Sequence, residues 1–140
     1  MIDIETLVFN KVANALKSEY STISVYGEYV SAPSVFPCVC LVEDDNYILE
    51  STSDEITENH VKVMYTLTVY SNKESGKKEE AKNIMNTADE VMLGLNFNRT
   101  MRSQIPNEDR TIYRVVARYE AVVEKGKTES DNTEYRIYRQ

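Results

Sequence analysis

The residues best equipped for chemistry in this 140-residue chain are carboxylates. Glu43, Asp44, Asp45, Glu50, Asp54, Glu55 and Glu58 fall within one polar stretch, 43–59, that contains no Lys or Arg. Such a density of hard oxygen ligands invites a divalent cation. A calcium loop, however, needs ligands at fixed offsets and a glycine at its sharp turn. No glycine occurs in the stretch. Cys38 and Cys40 are the two cysteines, separated by one residue. On a strand they point to the same face, and a disulfide across that spacing would strain the extended backbone. With the single, distant His60 they are too few for zinc, so they read as two small buried thiols.

Lysines gather at a second place. Lys73, Lys77, Lys78 and Lys82 surround the start of an expected helix, where cations and free N–H groups attract anions. The Ser75–Lys78 segment (SGKK) lacks the spaced first glycine and the apolar strand lead-in of a phosphate loop. Glu79-Glu80 and Asp89-Glu90 lie on the same helix, outside its apolar stripe, and are expected on its wet face. Paired carboxylates for acid–base catalysis need a concave pocket that splits their pKa values. No sequence feature indicates one. The chain therefore reads as a non-enzyme without a metal or cofactor.

Charge narrows the partners. The net charge is −7 and the pI near 4.8. Phosphate neutralisation needs clustered Lys and Arg, so nucleic-acid binding is not expected as the main task. An acidic wall would still suit a conduit that DNA passes without being held. No run approaches the roughly 18 apolar residues of a membrane span, and the N-terminus carries acid where a signal peptide needs base. The expectation is a cytoplasmic protein. Its length and 41% hydrophobic content fit one domain, 1–140, with its own core.

Periodicity supplies the elements. Asp3 is placed to cap a helix from about Ile4 to Tyr20, with Ile4, Val8, Val12, Ala15 and Leu16 on its apolar stripe. Ser21–Val30 reads as a strand with a bulge at Gly27. Pro33 and Pro37 bracket an extended crossing, with Phe36 as a core anchor. Cys38–Val42 is a short apolar run suited to a strand covered on both faces. Stretch 43–59 is then either a loop or a long hairpin reaching beyond the domain body. His60–Tyr70 alternates strictly, with Val61, Val63, Tyr65, Leu67 and Val69 toward the core. Ser75 is the candidate N-cap of a second helix, and Gly94 its C-terminal cap. Ala81, Ile84, Met85, Ala88, Val91, Met92 and Leu95 recur on that helix at helical spacing. Strands are expected at Asn96–Gln104, Thr111–Val123 and Thr133–Arg139. The order α-β-β-β-α-β-β-β implies α+β: one largely antiparallel, twisted sheet with two main helices on one face.

Two segments carry a resemblance. Glu28–Glu43 has the form EYV-x-AP-x-x-FP-x-V-x-L-V-E, and Val69–Lys82 the form VYSN-K-x-SGKK-x-EAK. With Met1–Leu16 and the C-terminal strands they resemble the small tail terminator (tail completion) proteins of tailed phages and phage-tail-like particles. These are packing and turn motifs. The resemblance implies a ring, commonly a hexamer, on the head-proximal end of a tail tube. Such a ring stops tube polymerisation, docks the neck or connector, and passes DNA through its lumen. Assembly would take place in the host cytoplasm, and the finished site would be the tail or neck of the particle. The acidic residues Glu43 to Glu58 would then face the lumen or a neighbouring subunit. Lys77 and Lys78 would contact a neighbour's acidic stretch. The terminal strand, with Tyr135, Ile137 and Tyr138, would lie between subunits. Other head–tail joining or tube components remain open, as does a small α+β enzyme or ligand-binding domain with a pocket lined by Tyr and acid.

Overall fold

The computed structural model describes residues 2–30, 32–49, 60–126 and 134–139. Its elements are α1 (Glu5–Glu19), β1 (Ser24–Tyr26), β2 (Cys38–Ile48), β3 (His60–Ser71), α2 (Lys77–Gly94), β4 (Asn98–Gln104), β5 (Tyr113–Gly126) and β6 (Glu134–Tyr138). The strands form one six-stranded sheet in the order β1-β2-β3-β5-β4, with β6 also on β5. Only β1 is parallel to its neighbour. The expected α+β class and element order are observed. No helix among the described residues is long and apolar enough to cross a membrane.

The alternation along β3 decides the layering. Val61, Val63, Tyr65, Leu67 and Val69 are all buried on the helix side, opposite Val115, Ala117, Tyr119, Ala121 and Val123 of β5. Val8, Val12 and Leu16 of α1 and Ala81, Ile84, Met85, Ala88 and Met92 of α2 close over this surface. The helices also touch each other, and Thr87 Oγ1 donates to Glu19 Oε2 at 2.9 Å between them. On α1 the buried alanine is Ala13, and Ala15 lies at the stripe's margin. The cap position is Ile4 and not Asp3, and it makes no side-chain cap; Asp3 lies one residue earlier, where its Oδ1 accepts the N–H of Glu5, the first helical residue, at 3.0 Å.

The far face holds a smaller cluster. Cys38, Cys40 and Tyr70 are buried there, with Val30, Phe36 and Ile112 packed against them. Both thiols are free, as expected. The hydrogen bond with Cys40, then burial, pushes the Cys38 pKa up, so it stays a thiol. Phe36 anchors this cluster and not the main core. That location explains why the expected strand Ser21–Val30 shrinks to three residues. β1 pairs only with Cys38–Cys40, and the chain then leaves the edge to lay Val30 and Phe36 over the far face.

Three further expectations change. β2 does not stop at Val42. It continues through Glu43 to Ile48, because β3 offers a partner along its whole length (Asn46↔Val63, Ile48↔Val61). A bulge between Glu43 and Asp45 makes room for Asp44. Of the two alternatives for 43–59, the hairpin is therefore the one observed for the described part, up to Leu49. The N-cap of α2 is Gly76, not Ser75: its φ of 89° is left-handed, where glycine carries no Cβ penalty. At the other end Gly94 is helical, and Asn96 takes the left-handed turn with φ 68°. The Asn96 N–H reaches Leu93 O at 3.0 Å and the Phe97 N–H reaches Met92 O at 3.1 Å, the paired bonds of a Schellman end.

Candidate assembly surfaces

Among the described residues, the topology divides the expected site residues into two groups at opposite edges of the sheet. At the β2 edge, Glu43 lies half-buried on the helix side. Tyr65 Oη donates to its Oε1 at 3.1 Å. Burial raises the Glu43 pKa; Tyr65 opposes the shift, and Glu5, Asp3 and Asp45 add to it. The carboxylates of Asp3, Glu5 and Glu43 all lie within 4.8 Å of one another. Asp44, the bulged residue, accepts a hydrogen bond from Thr66 Oγ1. Asp45 is exposed and holds the Asn46 N–H at 2.9 Å. Glu50, Asp54, Glu55 and Glu58 lie outside the described residues.

Lys77 and Lys78 sit on the other side of the molecule. Lys77 Nζ donates to Arg110 O at 2.8 Å in the turn between β4 and β5. Lys78 lines a shallow hollow with Lys82, Arg102 and Gln104. Neither lies with Glu43, Asp44 or Asp45; the acid that Lys77 faces is Asp109, whose pKa is lowered by its hydrogen bonds with Thr111 and then by Lys77. On the terminal strand, Tyr135 and Ile137 pack partly into the main core, and Tyr138 is 40% exposed. β6 is fastened to the rest of the fold. Tyr138 Oη donates to Glu124, His60 Nε2 lies 2.8 Å from Glu124 Oε2, and Asn96 Nδ2 donates to Ile137 O at 3.2 Å. The Tyr138 hydrogen bond, then His60, lowers the Glu124 pKa.

Two polar groupings escaped the sequence reading. His60 and Glu124 meet only through the β3–β5 register, which no local spacing encodes. Asp89, expected on the wet face, is only 8% exposed. It accepts Tyr119 Oη on Oδ1 at 2.6 Å and Arg99 on Oδ2 at 2.8 Å. Its signal was present: Asp89 stands four residues after Met85 and three before Met92, on the apolar stripe. Burial, then the Asp89 bond, raises the Tyr119 pKa far above its ordinary range.

One open cleft of about 480 Å³ adjoins the acidic edge, between α1 and the segment after β1. Phe9 and Leu41 give it an apolar floor, and Glu5, Glu28, Tyr26 and Tyr65 add polar groups. Its position beside β2 makes it part of the same surface. No protein-family model and no curated protein matches this chain.

Proposed function

We propose that this chain is a structural assembly protein and not an enzyme. It forms a ring that caps the head-proximal end of a phage or phage-like tail tube, ends tube growth and docks the neck or connector. The ring, a hexamer by resemblance, assembles in the host cytoplasm and passes DNA without binding it specifically. The observation that carries this reading is the meeting of the two segments on which the resemblance rests. Although residues 44–68 lie between them, Cys38 pairs with Tyr70 and Val39 with Val69. Val30 and Phe36 pack with Tyr70 on the far face. The motif residues thus build one continuous structural unit, which suits motifs of packing and turn.

A second reading has its own support. The cleft beside α1 is lined by Tyr and Glu, as a small ligand-binding or catalytic α+β domain would require. Another head–tail joining or tube component would share the assembly chemistry of the first reading. Light scattering on the purified protein separates the classes. The ring reading expects a mass several times the 16.1 kDa of the chain, constant over a wide dilution range. A monomer at every concentration, unchanged by added tail tubes, would overturn it and favour the cleft.

A further inference from the structure

We infer that the outer edge of β2, from Leu41 to Ile48, is the seat of the next copy of this chain, which presents its β4–β6 edge. The inference rests on the ring reading and supplies its contact. β1 pairs with β2 only at Cys38–Cys40, and no described strand pairs with the outer edge beyond that. The edge is engaged locally at Asn46, whose N–H is held by Asp45 Oδ1 and whose Nδ2 donates to Ile2 O at 2.9 Å, but a sheet edge that no described strand occupies is a template for another strand. Tyr47 and Ile48 at its far end are 41% and 57% exposed.

Charge selects the occupant. Glu43, Asp44 and Asp45 lie on β2, with Asp3 and Glu5 beside them, and β2 carries no Lys or Arg. The opposite edge carries Arg99 and Arg102 on β4, Arg136 on β6, and Arg139 just after it. Its own acids temper this. Asp89 neutralises Arg99, and Glu124 lies 3.9 Å from Arg136. Glu134 begins β6. Arg102 donates to the neutral Asn86 amide oxygen at 2.8 Å, and Arg139 donates to the Leu93 carbonyl. Lys78 and Lys82 flank Arg102. One edge is therefore acidic and the other basic.

That polarity fixes the symmetry. Two β2 edges brought together would set carboxylate against carboxylate, and two β4–β6 edges would set arginine against arginine. A two-fold dimer through either edge is disfavoured, and head-to-tail pairing is favoured. Head-to-tail contacts generate rings when the rotation closes. The bulge and charges on β2 also discourage neutral, indiscriminate edges while admitting a basic one.

The test uses the full chain in two charge-reversed forms. One carries Asp44→Lys and Asp45→Lys, both exposed positions; the other carries Arg102→Glu and Arg139→Glu. Each form alone is expected to lose association by roughly tenfold or more, because like charges then face each other. Mixing the two forms restores complementary contacts at every junction, so ring mass is expected to return. Thermal melting followed by circular dichroism checks that each form folds. Should the glutamate form melt early, Arg102→Gln with Arg139→Gln replaces it, with a smaller loss expected. Reversed forms that assemble like the wild type, or a mixture that stays dissociated while both forms are folded, would overturn this contact and leave the ring standing. A wild-type chain that never assembles would instead remove the ring itself.

Discussion

Phe97→Ala is expected to lower the free energy of unfolding by about 3–5 kcal/mol, the usual range for deleting a buried aromatic ring. Phe97 is fully buried although it lies only one residue past the left-handed Asn96. Its N–H closes the end of α2 on Met92 O, and its ring enters the core beside Met92. The ring stands edge-on to Tyr65, with centroids 5.3 Å apart and planes at 90°. Such a pair contributes about 0.5–1.5 kcal/mol beyond the area it buries. The substitution thus removes core volume, an aromatic pair and the apolar half of a helix cap together. Denaturant unfolding of the two proteins measures the loss. A difference below about 1 kcal/mol, the scale of a surface change, would show that the ring is not a core element.

The second large effect belongs to Asp89. Asp89→Ala is expected to cost about 2–3 kcal/mol, most of it from stranding a buried hydroxyl donor. Tyr119 is 1% exposed, so its Oη cannot turn to water once Asp89 is gone. Arg99 suffers less, because its side chain is 37% exposed and stays solvated. The double variant Asp89→Ala with Tyr119→Phe removes the stranded group. It is expected to be more stable than Asp89→Ala alone by about 1 kcal/mol. Equal stability of the single and double variants would show that the hydroxyl finds another partner and that the network carries little.

These two positions illustrate what the sequence made legible. The strict alternation of β3 named its five helix-side core residues correctly, but Thr68 and Tyr70 on the opposite face are buried as well, so a period of two marks one covered face without showing that the other is wet. The α2 stripe identifies the helix and its apolar contacts, but Asp89, expected outside the stripe, is buried on it. Its partners come from β4 and β5, and sequence spacing within a helix does not announce them. Cap chemistry misled in a similar way. Gly94 stood where a helix end was expected, but the chain turns two residues later, where Asn96 tolerates a left-handed backbone and Phe97 reaches the core. The length of β2 was undecided for a different reason. Glu43, Asp44 and Asp45 look like loop residues, but the ladder with β3 sets the strand's extent, and a partner strand is nonlocal information.

The candidate surface was legible in part. Composition identified the acidic and basic residues, and the resemblance assigned them to assembly. Only the sheet order reveals that they occupy opposite edges, with Lys77 and Lys78 on the basic side. In the proposed ring, polarity across the sheet, more than any single residue, would let one copy receive the next.

The most direct test of the central claim is the length of tail tubes assembled from the parent particle's tube protein with and without this chain, viewed by negative-stain electron microscopy. The account predicts shorter tubes that carry a ring at one end only, with shortening that increases as more protein is added. Tubes of unchanged length with bare ends at every ratio would contradict it.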